Sequence, residues 1–267
     1  MKKLFVLALA ATISLAIGQA TKASILYSDT ISYPNGNLTN GTTWFQTGAA
    51  GATPVQVSSG TAVLGTSGQD VYSPLSSIYT MTDGTSLYFG LTINVASAQA
   101  TGDYFFHYAP TVGETSLFIS RVFAKSTTGG FLLGYLETSG GAGAVVNYGT
   151  TVLSFSTSYN LVLSYNDVAG TLNDTASLYV NPTDSVQGNN TAYISGDAWG
   201  STSAENHSVA EINLRQGTAS SAPGLTVDNL IVATAFSDIV APVPEPSTLA
   251  LAGFGGLACF FALRRKR

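Results

Sequence analysis

The clearest signal along the chain is an alternation of apolar and polar positions at residues 86–95. Leu87, Phe89, Leu91, Ile93 and Val95 fall on one face; Ser86, Tyr88, Gly90, Thr92 and Asn94 fall on the other. A period of two over ten residues predicts a strand with one buried face. Shorter strand-like runs lie at 104–108, 117–124, 131–137, 145–148, 152–155, 159–165, 177–180 and 227–236, with minor ones at 55–57 and 62–64. Residues 25–33 alternate as well. Turn chemistry separates the runs: Pro34-Asn35-Gly36, Gly140-Gly141-Ala142-Gly143 and Asn181-Pro182. Two places disturb the pattern. Arg121 shares a parity with Leu117, Ile119 and Phe123, so either the strand is bulged there or the arginine reaches an edge. At 205–215, Glu205, His207, Val209, Glu211, Asn213 and Arg215 share one strand face, and Ala210, Ile212 and Leu214 the other. The sequence shows no fixed-period repeat. Many short strands with one apolar face each must pair two sheets to bury those faces. The predicted fold is all-β, a two-sheet antiparallel sandwich of jelly-roll type, with Trp44, Phe89, Tyr165 and Phe236 as core candidates.

Two apolar runs do not alternate. Residues 1–23 read as a secretory signal peptide: Lys2 and Lys3, an apolar core at 4–17, and small residues before cleavage after Ala23, which is preferred to Ala20. The body is then residues 24–240. Residues 241–247 form a linker in which Pro242, Pro244 and Pro246 fix φ and lack N–H groups, so it can neither extend a helix nor join a sheet. Residues 248–263 carry no charge and read as one transmembrane helix. The apolar run from Leu249 spans roughly 22 Å, short of the ~30 Å hydrocarbon core unless the flanking arginines snorkel. Arg264, Arg265, Lys266 and Arg267 would then form a basic tail on the cytoplasmic side.

Pro244-Glu245-Pro246, the apolar run and the terminal Arg-Arg-Lys-Arg together resemble the PEP-CTERM sorting signal of Gram-negative bacteria. The resemblance implies processing by an exosortase, a membrane-embedded cysteine-protease-like transpeptidase, after export through the Sec translocon. Delivery to the cell surface or exopolysaccharide matrix would follow. The body carries a second likeness. An opening strand with Asp29 and Tyr33, a Pro-Asn-Gly-Asn-Leu turn and then Trp44 look like the start of the laminin-G-like or concanavalin A-like jelly-roll domains common in such proteins. Residues 161–165, 173–182 and 225–232 are similar to the closing strands of the same domains.

Composition narrows the function. Only 9% of residues are charged, and of the ten cations just Arg121, Lys125 and Arg215 lie in residues 24–243, against fourteen acids, a formal charge of −11. Such a surface repels phosphate backbones, so no nucleic-acid partner is expected. The single cysteine, Cys259, sits in the apolar tail, which excludes an intramolecular disulfide and a cysteine metal site.

Candidate chemistry is sparse. His107 and His207 are expected as solvent-facing strand residues, and no G-x-S-x-G, H-E-x-x-H or P-loop occurs. Glu205 and Glu211, six residues apart on a strand, would be roughly 20 Å apart, too far for a glycosidase pair. The loop with Asn166, Asp167, Asn173 and Asp174 could supply oxygen ligands to Ca2+, but turn geometry is the favoured account of these residues, and no cofactor is expected. Tyr88, Tyr193 and Trp199 could stack on a sugar in a groove. The expectation is a non-enzymatic exported protein with a structural or glycan-associated body. The alternatives are a carbohydrate-active enzyme on the same fold and a permanently membrane-anchored surface protein.

Overall fold

A computed structural model describes residues 24–48, 53–138, 143–198 and 204–240. The signal peptide, the linker, the apolar run and the basic tail lie outside these residues. In chain order the strands of the first half are β1 (Ile25–Asp29), β2 (Gly36–Asn37), β3 (Phe45–Thr47), β4 (Gln56–Ser58), β5 (Thr61–Leu64), β6 (Asp70–Thr80), β7 (Ser86–Ser97) and β8 (Asp103–Ala109). Those of the second half are β9 (Ile119–Thr127), β10 (Gly130–Leu136), β11 (Asn147–Tyr148), β12 (Ser158–Asn166), β13 (Thr175–Val180), β14 (Ile194–Ala198), β15 (Ser208–Leu214) and β16 (Gly224–Ala233).

The strands form two antiparallel sheets. One has nine strands in the order β14-β13-β12-β7-β16-β5-β4-β2, with β1 also paired to β16. The other has seven, in the order β11-β10-β9-β8-β15-β6-β3. The chain passes repeatedly between the sheets, as in a jelly roll. One edge of β16 is shared: β5 pairs with its first half and β1 with its second.

Alternation in β7 does what the sequence predicts. Leu87, Phe89, Leu91, Ile93 and Val95 all enter the main core, and each such burial stabilises by about 1.5–3 kcal/mol before entropic costs. Facing them from the other sheet are Phe106, Tyr108, Val122, Ile212 and Leu214. Rings lock the two layers: Phe89 stacks on Tyr108 at 5.1 Å, and Tyr108 meets Tyr165 edge-on at 5.9 Å. Trp44 and Tyr165 are core residues as expected. Phe236 is buried elsewhere. With Val162, Tyr179 and Val240 it forms a second cluster, joined by Tyr88 and Ile239, on the outer face of the nine-stranded sheet. The last strand ends at Ala233 rather than 236, and Phe236–Asp238 is a 3-10 turn folded onto that face.

Two bulges account for the disturbed patterns. Ser120 has φ +52°, and the β8–β9 register slips between Phe106↔Val122 and Tyr108↔Ile119. One extra residue turns every later side chain over. Ile119, Val122 and Ala124 therefore face the core, and Arg121 and Phe123 point outward. A second slip, between Val209 and Glu211, puts Val209 in the core with Ile212 and Leu214. Glu205 is not on the strand at all, since β15 starts at Ser208. Other expected boundaries shrink: the run at 152–155 contributes one isolated bridge at Leu153, and that at 145–148 only two residues.

Candidate functional site

The outer face of the seven-stranded sheet concentrates the body's unusual side chains. The register places Tyr72 of β6, Asn213 of β15 and His107 of β8 side by side, with Glu211 opposite Pro74 and Ala109. Beyond them lie Tyr104 of β8, Arg121, Phe123 and Lys125 of β9, and Leu136 of β10. The three cations that the sequence retains in the body all stand over rings of this face. Arg121 lies 5.3 Å from the Tyr104 centroid and 5.8 Å from that of Phe123. Arg215 lies 4.2 Å from the Tyr104 centroid, and Lys125 3.7 Å from that of Tyr148. A desolvated cation over a ring gains up to about 2 kcal/mol.

Charge on this face is distributed unevenly. Arg215 is ion-paired to Asp103 at 2.8 Å and lies 3.7 Å from Asp70. Its pKa is raised: burial opposes the shift but is outweighed by the Asp103 hydrogen bond and the neighbouring anions. Arg121 donates to the Thr138 carbonyl at 3.3 Å, and burial pulls its guanidinium below the usual range. Glu211 is fully buried; its carboxylate accepts the Gly113 N–H at 2.6 Å and the Asn213 amide at 3.1 Å, and burial raises its pKa. The loop after β8 covers the middle of the face. Within it, Glu114 accepts hydrogen bonds from Thr111, Ser116 and Leu117, which hold its carboxyl down to about 2.

His107 does not face solvent, contrary to expectation. The β8–β9 loop brings Phe118 to 4.5 Å from the imidazole, with Tyr104 at 5.5 Å, and leaves His107 3% exposed. Neither ring nitrogen has a hydrogen-bond partner, and burial, aided by Arg121 and Arg215, drops its pKa well below the ordinary value. At the other end of the sheet the face opens. Phe45, 48% exposed, stacks on the half-buried Tyr72 with centroids 5.5 Å apart. The sequence reading missed this pair. Its one signal is an aromatic on each of two neighbouring strands, and the alternation of β6 is masked by Pro74 and a run of Ser, Thr and Tyr.

The aromatics singled out as sugar platforms are otherwise employed. The Tyr88 hydroxyl donates to Gln187, and Tyr193 donates to the Thr151 carbonyl while accepting the Leu133 N–H. Trp199 lies outside the described residues. The structure gathers part of the proposed calcium loop differently from expectation. Asp167, Asp174 and His207 offer ligand atoms within 4.8 Å of one another. Asn166 points away, bonding Ser86 and Thr175, and Asn173 bonds the Ala169 carbonyl. His207 is thus a half-exposed loop residue, its Nδ1 2.9 Å from Asp167 Oδ2, and not a member of a strand face. Glu205 is tied to the backbone N–H groups of Asn173 and Asp174, so Glu205 and Glu211 do not form a pair on one strand.

Residues 242–266 match the family model described as the PEP-CTERM protein-sorting motif. The chain ends in a PEP-CTERM sorting signal. That match spans Pro244, Glu245, Pro246 and most of the basic cluster, and such a signal implies an exported protein, sorted by an exosortase and processed at the membrane. These residues, like Ala23, lie outside the described ones; among the described residues no helix is long and apolar enough to cross a membrane. No curated protein sequence matches the chain. Among solved structures, the body is similar to the CBM2 module of the evolved Dit of Lactobacillus casei BL23 phage J-1, with 10% identity, TM-score 0.49, and coverage of 80% of this chain and 96% of that one. It is also similar to domain 4 of AbnA, a GH43 extracellular arabinanase from Geobacillus stearothermophilus, solved with arabinotriose, with 13% identity, TM-score 0.47, and coverage of 82% and 98%. A third likeness is to an endo-1,3-beta-glucanase from Streptomyces sioyaensis, with 13% identity, TM-score 0.43, and coverage of 80% and 96%. At these identities the likenesses say nothing of what this chain binds.

Proposed function

We propose that this PEP-CTERM protein is released by an exosortase to the cell surface or the exopolysaccharide matrix, where its sandwich serves as a non-enzymatic, glycan-associated module. The observation that carries the reading is the placement of the exposed Phe45–Tyr72 stack relative to the chain's exit. Residues 236–240 leave along the outer face of the nine-stranded sheet, packed on Val162 and Tyr179. The stack lies on the outer face of the opposite sheet. A tether at the C-terminus therefore leaves the aromatic face uncovered, before and after processing. Exposed rings flanked by polar groups suit the apolar faces of sugars, and Thr47 and Asp70 lie beside this pair.

The carboxylates of the same face favour binding over turnover. Hydrolysis needs two free carboxyl groups flanking a sugar bond, one to protonate the leaving oxygen and the other to activate water or attack the sugar carbon. Here Asp70 and Asp103 are bound to Arg215, Glu211 to Gly113 and Asn213, and Glu114 to its own turn. The test uses secreted protein from cells carrying an exosortase. Intact mass should show loss of the basic tail, and Pro244→Ala with Pro246→Ala should keep the chain full-length in the membrane. The released body should bind members of a glycan array without freeing reducing sugar. Phe45→Ala with Tyr72→Ala should lower that binding about five- to a hundredfold, since each stacked ring contributes roughly 0.5–1.5 kcal/mol, with little change in melting temperature. Reducing sugar released from a polysaccharide panel would establish the enzyme instead.

A further inference from the structure

We infer that Asp167, Asp174 and His207 form a binding site for a first-row transition dication of the zinc type, and that the bound ion ties the two sheets together at one end of the sandwich. The three residues come from different parts of the fold. Asp167 and Asp174 bracket the connection between β12 and β13 of the nine-stranded sheet, and His207 leads into β15 of the seven-stranded sheet. Backbone bonds hold them in place: Met81 N–H donates to the His207 carbonyl, Gly84 N–H to that of Asp167, and Asp167 N–H to that of Thr85.

The donor geometry suits such an ion. His207 Nδ1 is 2.9 Å from Asp167 Oδ2 and 3.9 Å from Asp174 Oδ2. Ligands of a tetrahedral zinc at its usual bond lengths of about 2.0–2.1 Å stand roughly 3.3 Å apart. The observed distances bracket that value, so an ion needs only small side-chain adjustments while replacing the proton between His207 and Asp167. Asp174 is already oriented, its Oδ2 accepting the Tyr165 hydroxyl at 2.6 Å and its Oδ1 the Val168 N–H at 2.8 Å. Outer-shell bonds of this kind fix ligand carboxylates in metal sites.

A separate observation points to a missing ligand. Asp167 is 2% exposed, yet its Oδ1 has no hydrogen-bond partner. An unpaired buried carboxylate oxygen is costly, and a cation held by both oxygens of Asp167 satisfies it. Asp167 and His207 line a cleft of about 510 Å³ whose other walls are Thr80, Met81, Thr82 and Asp83. The cleft gives an ion a path in, and room for water in the remaining coordination positions. Imidazole among the donors selects the ion class: Ca2+ takes six to eight oxygens, whereas two carboxylates and a histidine suit zinc and its neighbours. The inference rests on this cluster alone and stands whether or not the outer face of the seven-stranded sheet binds glycans.

The test uses the full chain in detergent, stripped with a chelator and titrated with ZnCl2, CoCl2 or CaCl2. One equivalent of Zn2+ should bind by calorimetry and raise the melting temperature about 5–10 °C at a hundredfold excess over Kd. Co2+ should give a visible absorption band of nitrogen–oxygen ligation. Asp167→Asn and His207→Gln should each weaken Zn2+ binding at least about tenfold, and Ca2+ should produce no comparable shift. The inference is overturned if Zn2+ leaves melting unchanged, if both variants bind as the parent does, or if Ca2+ stabilises equally and His207→Gln does not matter. Should Asp167→Asn fail to fold, His207→Gln decides alone, because that side chain is 36% exposed.

Discussion

His107 shows how one side chain can be misplaced by a correct pattern. Its polar character suggested solvent, but the loop after β8 folds Phe118 over it and leaves both ring nitrogens without partners. Burial holds it neutral in the folded protein, whereas an unfolded histidine takes a proton near pH 6.5. Below that pH the unfolded chain binds a proton that the native chain refuses, so stability falls as pH falls. His107→Leu removes both costs. Chemical denaturation at pH 7.5 should find the variant more stable by about 1 kcal/mol, the low end of the cost of an unsatisfied buried group. The gap should widen by up to about 1.4 kcal/mol per pH unit below 6.5. A variant less stable than the parent at every pH would show that the imidazole is satisfied and contributes to packing. Asp29 is the opposite case, a residue whose role the opening motif did announce. Its Oδ2 accepts the Trp44 indole N–H and the Tyr33 hydroxyl, each at 2.8 Å, which explains why that aspartate, tyrosine and tryptophan occur together.

Gly90 decides how the chain leaves the body. It lies in the middle of β7, on the outer face, and a Cβ built there would come within 2.4 Å of Ile239 Cγ2. Only a bare backbone lets residues 236–240 lie flat on the sheet. Gly90→Val should lift that segment off, and hydrogen exchange should report faster exchange at Val240 and Ile239, whose N–H groups bond the Phe236 carbonyl. The β7 core face should stay protected. Unchanged exchange at 239–240 would mean that Ile239 merely turns aside. The same strand was the most legible element in the sequence, because it is regular, central and buried on one side only. Legibility failed where regularity did. β6, eleven residues long, was not recognised because Pro74 and a run of Ser, Thr and Tyr mask its alternation of Val71, Ser73 and Leu75. Proline is tolerated there because β3 pairs only with Asp70–Tyr72, leaving the rest of that side as an edge. The bulges at Ser120 and beside Val209 reverse parity without any local cue beyond one misplaced arginine. The contact between His207 and the β12–β13 loop spans 40 residues and two sheets, and a single sequence carries no signal for such a meeting.

For the whole molecule, titration and net charge act together. Burial raises the pKa of Glu211, Asp70 and Asp228 above their ordinary values of 4.5 and 3.8. A carboxyl whose folded pKa is raised favours the native state below its unfolded pKa and loses that contribution as pH rises through the folded value. Glu114 and Asp184 are shifted the other way by hydrogen bonds, but both are well exposed and their effect is screened. The formal charge of −11 on residues 24–243 adds repulsion that also grows with pH. His107 opposes this trend, so the parent's profile between pH 5 and 7 is a compromise. In the His107→Leu background the opposition is gone, and the melting temperature should rise as pH falls through the range in which the buried carboxyls take up protons. Part of that climb should be reproduced at pH 8 by raising ionic strength, because salt screens the repulsion between exposed acids but not the burial of Glu211. A flat profile in that background would mean that the buried carboxyls are matched by neighbours in the native state and that charge is not what limits this sandwich.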